Sequence, residues 1–274
     1  MKNRVSWLIC MAFLTLILAG IVVSRIESRD EIIFGGAEGA YVQTDTYQYK
    51  DPNATPEVVE VDDGWPEIDI TQAQYRMVND QTEFLLPSSF EPVCGLIDGT
   101  KFMMFDTDAL PYLNAMLHAA EEAGFTPYIA ASYRTYSYQT QMFNAKTSSI
   151  AWDEFGITDY LDPSYQKAAE KARKIVMYPG SSEHQLGLAV DIWDRQRNQT
   201  VPYENMNQEF FTWLDEHCAE YGFIKRYPTR KLLLTGWDEP WHYRYVGVEA
   251  AKYVMEKGIC YEEFYKHYMP DFKY

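Results

Sequence analysis

Apolar and polar positions recur along this chain on several different periods, and each period predicts a different element. In DTDALPYLNAMLHAAEEAGF (106–125) apolar side chains return at helical spacing behind an acidic start, and a glycine follows Ala123, which predicts an amphipathic helix of about four turns. TPYIAASY (126–133) is a short apolar run expected as a buried strand. RTYSYQTQMFNAKTSSI (134–150) begins a second helix, SYQKAAEKARKIVM (164–177) reads as a charged helix, and NQEFFTWLDEHCAEYGF (207–223) as another closed by Gly222. Short strands are expected in YRMVNDQTEFLLPSSF (75–90, ahead of a proline turn), FIKRYP (223–228), KLLLTGW (231–237) and WHYRYVG (241–247), with a last helix in VEAAKYVMEKG (248–258). Helices and strands mix without a repeating strand–helix–strand period. The fold class expected is therefore α+β, a small antiparallel sheet flanked by helices.

The N-terminal end has a different pattern. Lys2 and Arg4 precede WLICMAFLTLILAGIVVS (7–24), which carries no charge and is close to the roughly 20 residues needed to cross a bilayer as a helix. Residues 1–26 are expected to be a membrane anchor or signal segment. The apolar run continues past Ala19-Gly20, which favours an uncleaved anchor with the downstream chain outside the cell, secretion after cleavage being the alternative. Residues 27–64 are polar, acidic and without sustained periodicity, as in a tether. Aromatics and aliphatics become dense from Trp65, so the folded domain is placed at 65–274.

Composition then removes some functions. With 47% apolar and 16% aromatic residues the chain buries an ordinary core, and a formal charge of −16 without a long Lys/Arg run argues against nucleic acid as a partner. Cys10 lies in the apolar span, leaving Cys94, Cys218 and Cys260, an odd number. Cys218 and Cys260 can pair, but as buried apolar residues they need no partner, and no disulfide framework is expected.

The chemistry is concentrated in SSEHQLGLAVDI (181–192), where a histidine, a glycine and an aspartate interrupt a strand-like run. Burying His184 and Asp191 unpaired would cost several kcal/mol, so something must compensate them, and a metal ion is one candidate. Two zinc ligands bring their donor atoms to about 3 to 4 Å from each other. A regular helix separates Cα atoms seven apart by about 10 Å and a straight strand by about 23 Å, so neither suits. Gly187, free to adopt positive φ, can turn His184 back over the strand that carries Asp191. A catalytic zinc usually has three protein ligands, and the best third is His242 in GWDEPWHYRYVG (236–247). Glu239 would face the attacking water as general base, with Asp238 as its rival; a turn at Glu239-Pro240 favours Glu239. Arg134 follows the strand YIAASY. It suits a substrate carboxylate or a developing oxyanion, against the plainer reading of a surface or ion-paired arginine. His118, His217 and His267 are read as packing or solvent-facing residues.

The segments S-E-H-Q-L-G-L-A-V-D (182–191) and E-P-W-H (239–242) together resemble the zinc carboxypeptidases of the VanY type, which trim D-Ala from peptidoglycan stem peptides. The pattern S-x-H-x-x-G-x-A-x-D followed by E-x-W-H is matched at every fixed position. SYRTYSYQTQ (132–141) is similar to that family's Arg-bearing segment and MVNDQTEFLLPSSF to its opening strand, so the resemblance covers roughly 65 to 260; the stretch between Asn144 and Val176 aligns with nothing. It implies a zinc site in a cleft of one catalytic domain, one Zn2+ per chain held by His184, Asp191 and His242. Glu239 is then the base and Arg134 steadies substrate or oxyanion, with Ser182 and Gln139 helping to hold the substrate. The implied partners are peptidoglycan stem peptides, with the membrane reached through the N-terminal segment. The activity expected is D,D-carboxypeptidase, with L,D-carboxypeptidase and D,D-dipeptidase left open because pocket shape decides between them. The competing class is a cell-wall binding module with structural zinc, which has no use for Glu239.

Overall fold

The four strands that carry the site are bound into one antiparallel sheet. In the computed structural model, which describes residues 64–80, 82–194 and 206–273, β1 (Cys94–Leu96) and β2 (Met104–Asp106) form a small antiparallel ribbon. β3 (Pro127–Ala131), β4 (Ala189–Asp194), β5 (Phe223–Tyr227) and β6 (Glu239–Tyr245) form the main sheet in the order β3-β4-β6-β5. β4 reads AVDIWD, the β-branched and aromatic content that suits an enclosed pleated surface, and lies inside the sheet. The ribbon is tied on where the Tyr133 amide donates to Met104 O (3.0 Å) and the Asp106 amide to Gly187 O (2.9 Å).

Seven helices flank this sheet among the described residues. α1 (Leu110–Glu122) has a proline in its first turn and buries Leu113, Met116 and Ala120, the stripe expected from its period. α2 (Tyr136–Phe155) starts where the Thr135 side chain accepts from the Tyr138 amide (3.1 Å), one residue after Arg134, and ends at Gly156 in the left-handed region. α3 (Pro163–Ala172) is capped by Asp162 and packs on α2 through Phe143, Ile150, Ala151, Ala168 and Ala172. α4 (Gln208–His217) is capped by Asn207 and runs through a turn of 3-10 helix to Gly222. After the single-turn α5 (Leu232–Thr235) come α6 (Val248–Lys257) and α7 (Tyr261–Tyr268).

The main core gathers Tyr75, Met77, Ile224, Val246, Val254, Tyr261 and Phe264, between β5, α6 and α7. Trp65 closes this side, stacked on His267 at 3.8 Å between ring centroids, while the Tyr268 hydroxyl donates to Pro66 O. Cys94, Cys218 and Cys260 are free thiols; burial pushes Cys94 and Cys260 up to about 12.

Three expectations differ from what is found. KLLLTGW is helical: a 3-10 turn at Thr229–Lys231 leads into α5, and Leu233 is 99% exposed, so its apolar run fills no sheet. A short apolar run does not by itself separate helix from strand. Among the described residues of 75–90 there is no strand: a 3-10 turn, Ala73–Tyr75, ends at Tyr75, a second spans Thr82–Phe84, and the apolar Met77 and Val78 between them are buried outside any sheet. The last helix is α7 rather than α6. Its signal is a capping box in which the Glu263 side chain accepts from the Cys260 amide, with Cys where Ser or Thr is usual. The expected anchor at 1–26 and all but the last residue of the 27–64 tether lie outside the described residues; among those described, no helix is long and apolar enough to cross a membrane.

Candidate metal centre

His184 reaches the sheet from a turn. Residues Glu183–Leu186 form one turn of 3-10 helix, stopped by Gly187 at φ 75°, which returns the chain into β4. No other residue fits there: a Cβ on Gly187 would stand 2.9 Å from Cys94 Sγ, and the positive φ is strained for any L side chain. Asp191 and His242 are direct partners in the β4–β6 register, so their side chains share a face. One donor atom from each of His184, Asp191 and His242 lies within 4.8 Å of the others. Asp191 Oδ1 is 2.9 Å from His242 Nδ1 and 3.4 Å from His184 Nε2, close to the spacing of ligand atoms around a tetrahedral zinc. The outer ring nitrogens are also engaged: His184 Nδ1 is 3.0 Å from Ser132 O, and His242 Nε2 is 3.3 Å from a Glu183 carboxylate oxygen. That leaves Nε2 of His184 and Nδ1 of His242 facing inward, as ligation requires. The donor set fits a zinc ion.

Glu239 stands beside this group without belonging to it. Its carboxylate is 3.8 Å from His242 Nδ1 and its side chain is 26% exposed. In a regular strand residues three apart point to opposite faces. Here β5 advances from Lys225 to Tyr227 while β6 advances from Tyr243 to Glu239, two residues against four, and this bulge brings Glu239 and His242 to one site. The bulge replaces the turn expected at Glu239-Pro240. Asp238 instead accepts from Thr229 Oγ1 at 2.8 Å on the exposed side.

Arg134 is part-buried at the site, with Nη2 3.7 Å from Asp191 Oδ2 and Nη1 donating to Gln139 Oε1 at 3.4 Å. Gln139 is fully buried and its amide nitrogen donates to Met177 O at 2.7 Å, so it braces Arg134 instead of facing open space. Ser182 is buried ahead of the 3-10 turn, its carbonyl accepting from the Gln185 amide. The other histidines lie away from the group: His118 beside Glu122, His217 beside Glu220 and His267 on Trp65.

The sequence profile of the VanY D-alanyl-D-alanine carboxypeptidase family matches residues 103–248, which include the whole group just described. The chain belongs to the VanY family. A D-alanyl-D-alanine carboxypeptidase of Enterococcus faecalis is 40% identical over 157 residues, 56% of this chain and 53% of that protein, so the chain spans about half the length of this relative. A vancomycin-resistance D,D-pentapeptidase VanY solved with Zn(II) is 34% identical, covers 70% of this chain and 99% of its own, and superposes with a TM-score of 0.57. VanYB solved with D-alanine-D-alanine is 33% identical over 74% of this chain and 100% of its own, at a TM-score of 0.58.

Electrostatics in this VanY site follow from burial and neighbours. Burial, helped by Arg134, holds His184 down at about 4 against the pull of Asp191, so its imidazole is neutral and able to ligate. Burial opposes ionisation of Asp191, but His184 and His242 overcome it and keep the carboxyl well below its usual range. His242 would be lowered by burial, yet the hydrogen bonds to Asp191 and Glu183 raise it to about 9; a metal on Nδ1 would displace that proton. Glu239 is pushed up to about 7, chiefly by burial, with Asp191 and Glu183 adding to it.

Glu183 was not singled out from sequence, where it occupies a variable position in the VanY pattern. Its side chain is 0% exposed, with Oε1 accepting from Arg226 Nε at 2.7 Å and lying 3.1 Å from Arg244 Nη1. The two arginines outweigh its burial and keep the carboxyl far below its usual range. Arg226 is in turn held bidentately by Glu262 of α7, at 2.7 and 3.0 Å.

Proposed function

We propose that this VanY chain is a zinc-dependent D,D-carboxypeptidase that hydrolyses the terminal D-Ala–D-Ala bond of peptidoglycan stem peptides. The observation that carries it is the separation of roles on one face: His184, Asp191 and His242 converge within 4.8 Å, while Glu239 stands off the group with a carboxyl near neutrality. When bound, a zinc ion supplies Lewis-acid activation of water and of the scissile carbonyl. Glu239 is placed to take the proton of the attacking water and pass it to the leaving amine, and its burial raises the carboxyl above the usual range, which favours its holding the proton in transit. Arg134, fixed by Gln139 and Asp191, is placed to pair with the terminal carboxylate of the substrate or with the oxyanion that develops on its carbonyl. A structural zinc site would have no use for a base poised in this way.

The deciding experiment is incubation of the zinc-loaded protein with tetra- and pentapeptide stems of defined stereochemistry, followed by mass spectrometry. Release of one D-Ala from stems ending in D-Ala–D-Ala is expected. Release only from stems ending in L-D bonds would reassign the specificity, and no release from any stem would overturn the peptidase reading.

The domain is further proposed to work outside the cell, tethered to the membrane through residues 6–24. The support is the uncharged 7–24 run followed by an acidic, polar stretch. Protease shaving of spheroplasts should remove the domain; a domain left intact would contradict this placement.

A further inference from the structure

A carboxylate excluded from water must be matched by positive charge or by a function, and Glu183 has both. Its two oxygens divide the work. Oε1 meets Arg226 Nε at 2.7 Å and Arg244 Nη1 at 3.1 Å, while Oε2 meets His242 Nε2 at 3.3 Å, the ring nitrogen that points away from Asp191. The two arginines are fixed in turn. Arg226 is held by Glu262, and Arg244 donates to the carbonyls of Gln74 at 2.9 Å and Arg76 at 3.1 Å. Two guanidiniums and two carboxylates therefore form a balanced buried array that meets the His242 ring through Glu183 Oε2. Ion pairing alone explains Oε1; it does not explain why the second oxygen is spent on an imidazole.

We propose that Glu183 is a positioning residue for the metal centre: it accepts the Nε2–H of His242, fixing the ring so that Nδ1 presents its lone pair to the ion. Carboxylates that hold the outer nitrogen of a metal-bound histidine orient the ring and raise its basicity, and their loss typically lowers metal affinity by about 10- to 100-fold. The array fixes Glu183 from behind, so the ring is oriented by groups on β5 and α7 as well as by its own strand, β6. This inference rests on the metal reading given under Proposed function.

The test is zinc affinity by chelator competition on folded protein, comparing wild type with Glu183→Gln, Glu183→Asp and Glu262→Gln. In Glu183→Gln the amide oxygen stays with the arginines and the NH2 turns to His242, setting donor against donor. The ring loses its acceptor while the array keeps most of its contacts, so zinc should bind about 10- to 100-fold more weakly. Glu183→Asp keeps the charge but withdraws the carboxylate from the ring, and should weaken zinc as well, even if the glutamine variant does not fold. Glu262→Gln, at the far end of the array, should lower the melting temperature and leave zinc affinity within about threefold. The zinc-loaded wild type should also show a slowly exchanging imidazole N–H resonance assignable to His242 Nε2. Folded Glu183 variants that bind zinc like wild type, or Glu183 and Glu262 variants that weaken it equally, would overturn the proposal while sparing the metal site. Failure of the wild type to bind zinc would remove both.

Discussion

At the scale of single residues, Glu239 and His242 sit three positions apart on one strand and should fail in different ways. Glu239→Gln keeps the side-chain volume and removes the base, so kcat should fall by about 10² to 10⁴-fold with zinc content nearly unchanged. His242→Ala removes a ligand and should lose zinc and activity together, read by metal analysis beside the turnover assay. If Glu239→Gln turned over near-normally, the base would have to lie elsewhere; if it lost its zinc, Glu239 would be a ligand. The pH profile carries a sign. Glu239 acts only when ionised, and burial raises it from 4.5 to about 7, so kcat/KM should rise with pH through an acid limb. A bound cation favours the carboxylate and moves that limb below 7, toward the ordinary value. The limb should vanish in Glu239→Gln; its persistence there would assign it to another group.

At the scale of elements, two local devices aim the site. Gly187 lets a turn of 3-10 helix deliver His184 over β4, and Gly187→Ala meets both the positive φ and the Cys94 sulfur at 2.9 Å. A strained backbone of this kind costs about 1–3 kcal/mol, to be read as a lowered denaturation midpoint. Adding Cys94→Ala should recover only the steric part; full recovery would mean that φ is not the constraint. Thr135 caps α2 immediately after Arg134, and Thr135→Ala should cost about 1 kcal/mol of stability. Because the same residue fixes where the chain leaves Arg134, KM for stem peptides should rise as well, and an unchanged KM would make the cap purely structural. The convergence of His184 and Asp191 was legible in the sequence because the glycine between them has a geometric reason that neighbouring residues supply. The β6 bulge was not, since it exists only in the mismatch between two strands. KLLLTGW misled because three leucines carry no period, whereas Glu263 three residues after Cys260 would have announced α7.

At the scale of the whole molecule, what escaped the sequence is what the tertiary fold assembles. Glu183 stood in plain view between Ser182 and His184, but its partners Arg226, His242 and Arg244 arrive from 43 residues away and beyond, so no local spacing gives it a role. The antiparallel sheet and most helices were legible because their periods are local; its strand order was not.

One contact at the edge of the domain has a mechanical side. Trp65, the first aromatic of the domain, is stacked on His267 and packed on Tyr253, Phe264 and Tyr268. A load applied along the chain from its N-terminal side therefore enters at this ring cluster and pulls against α6 and α7.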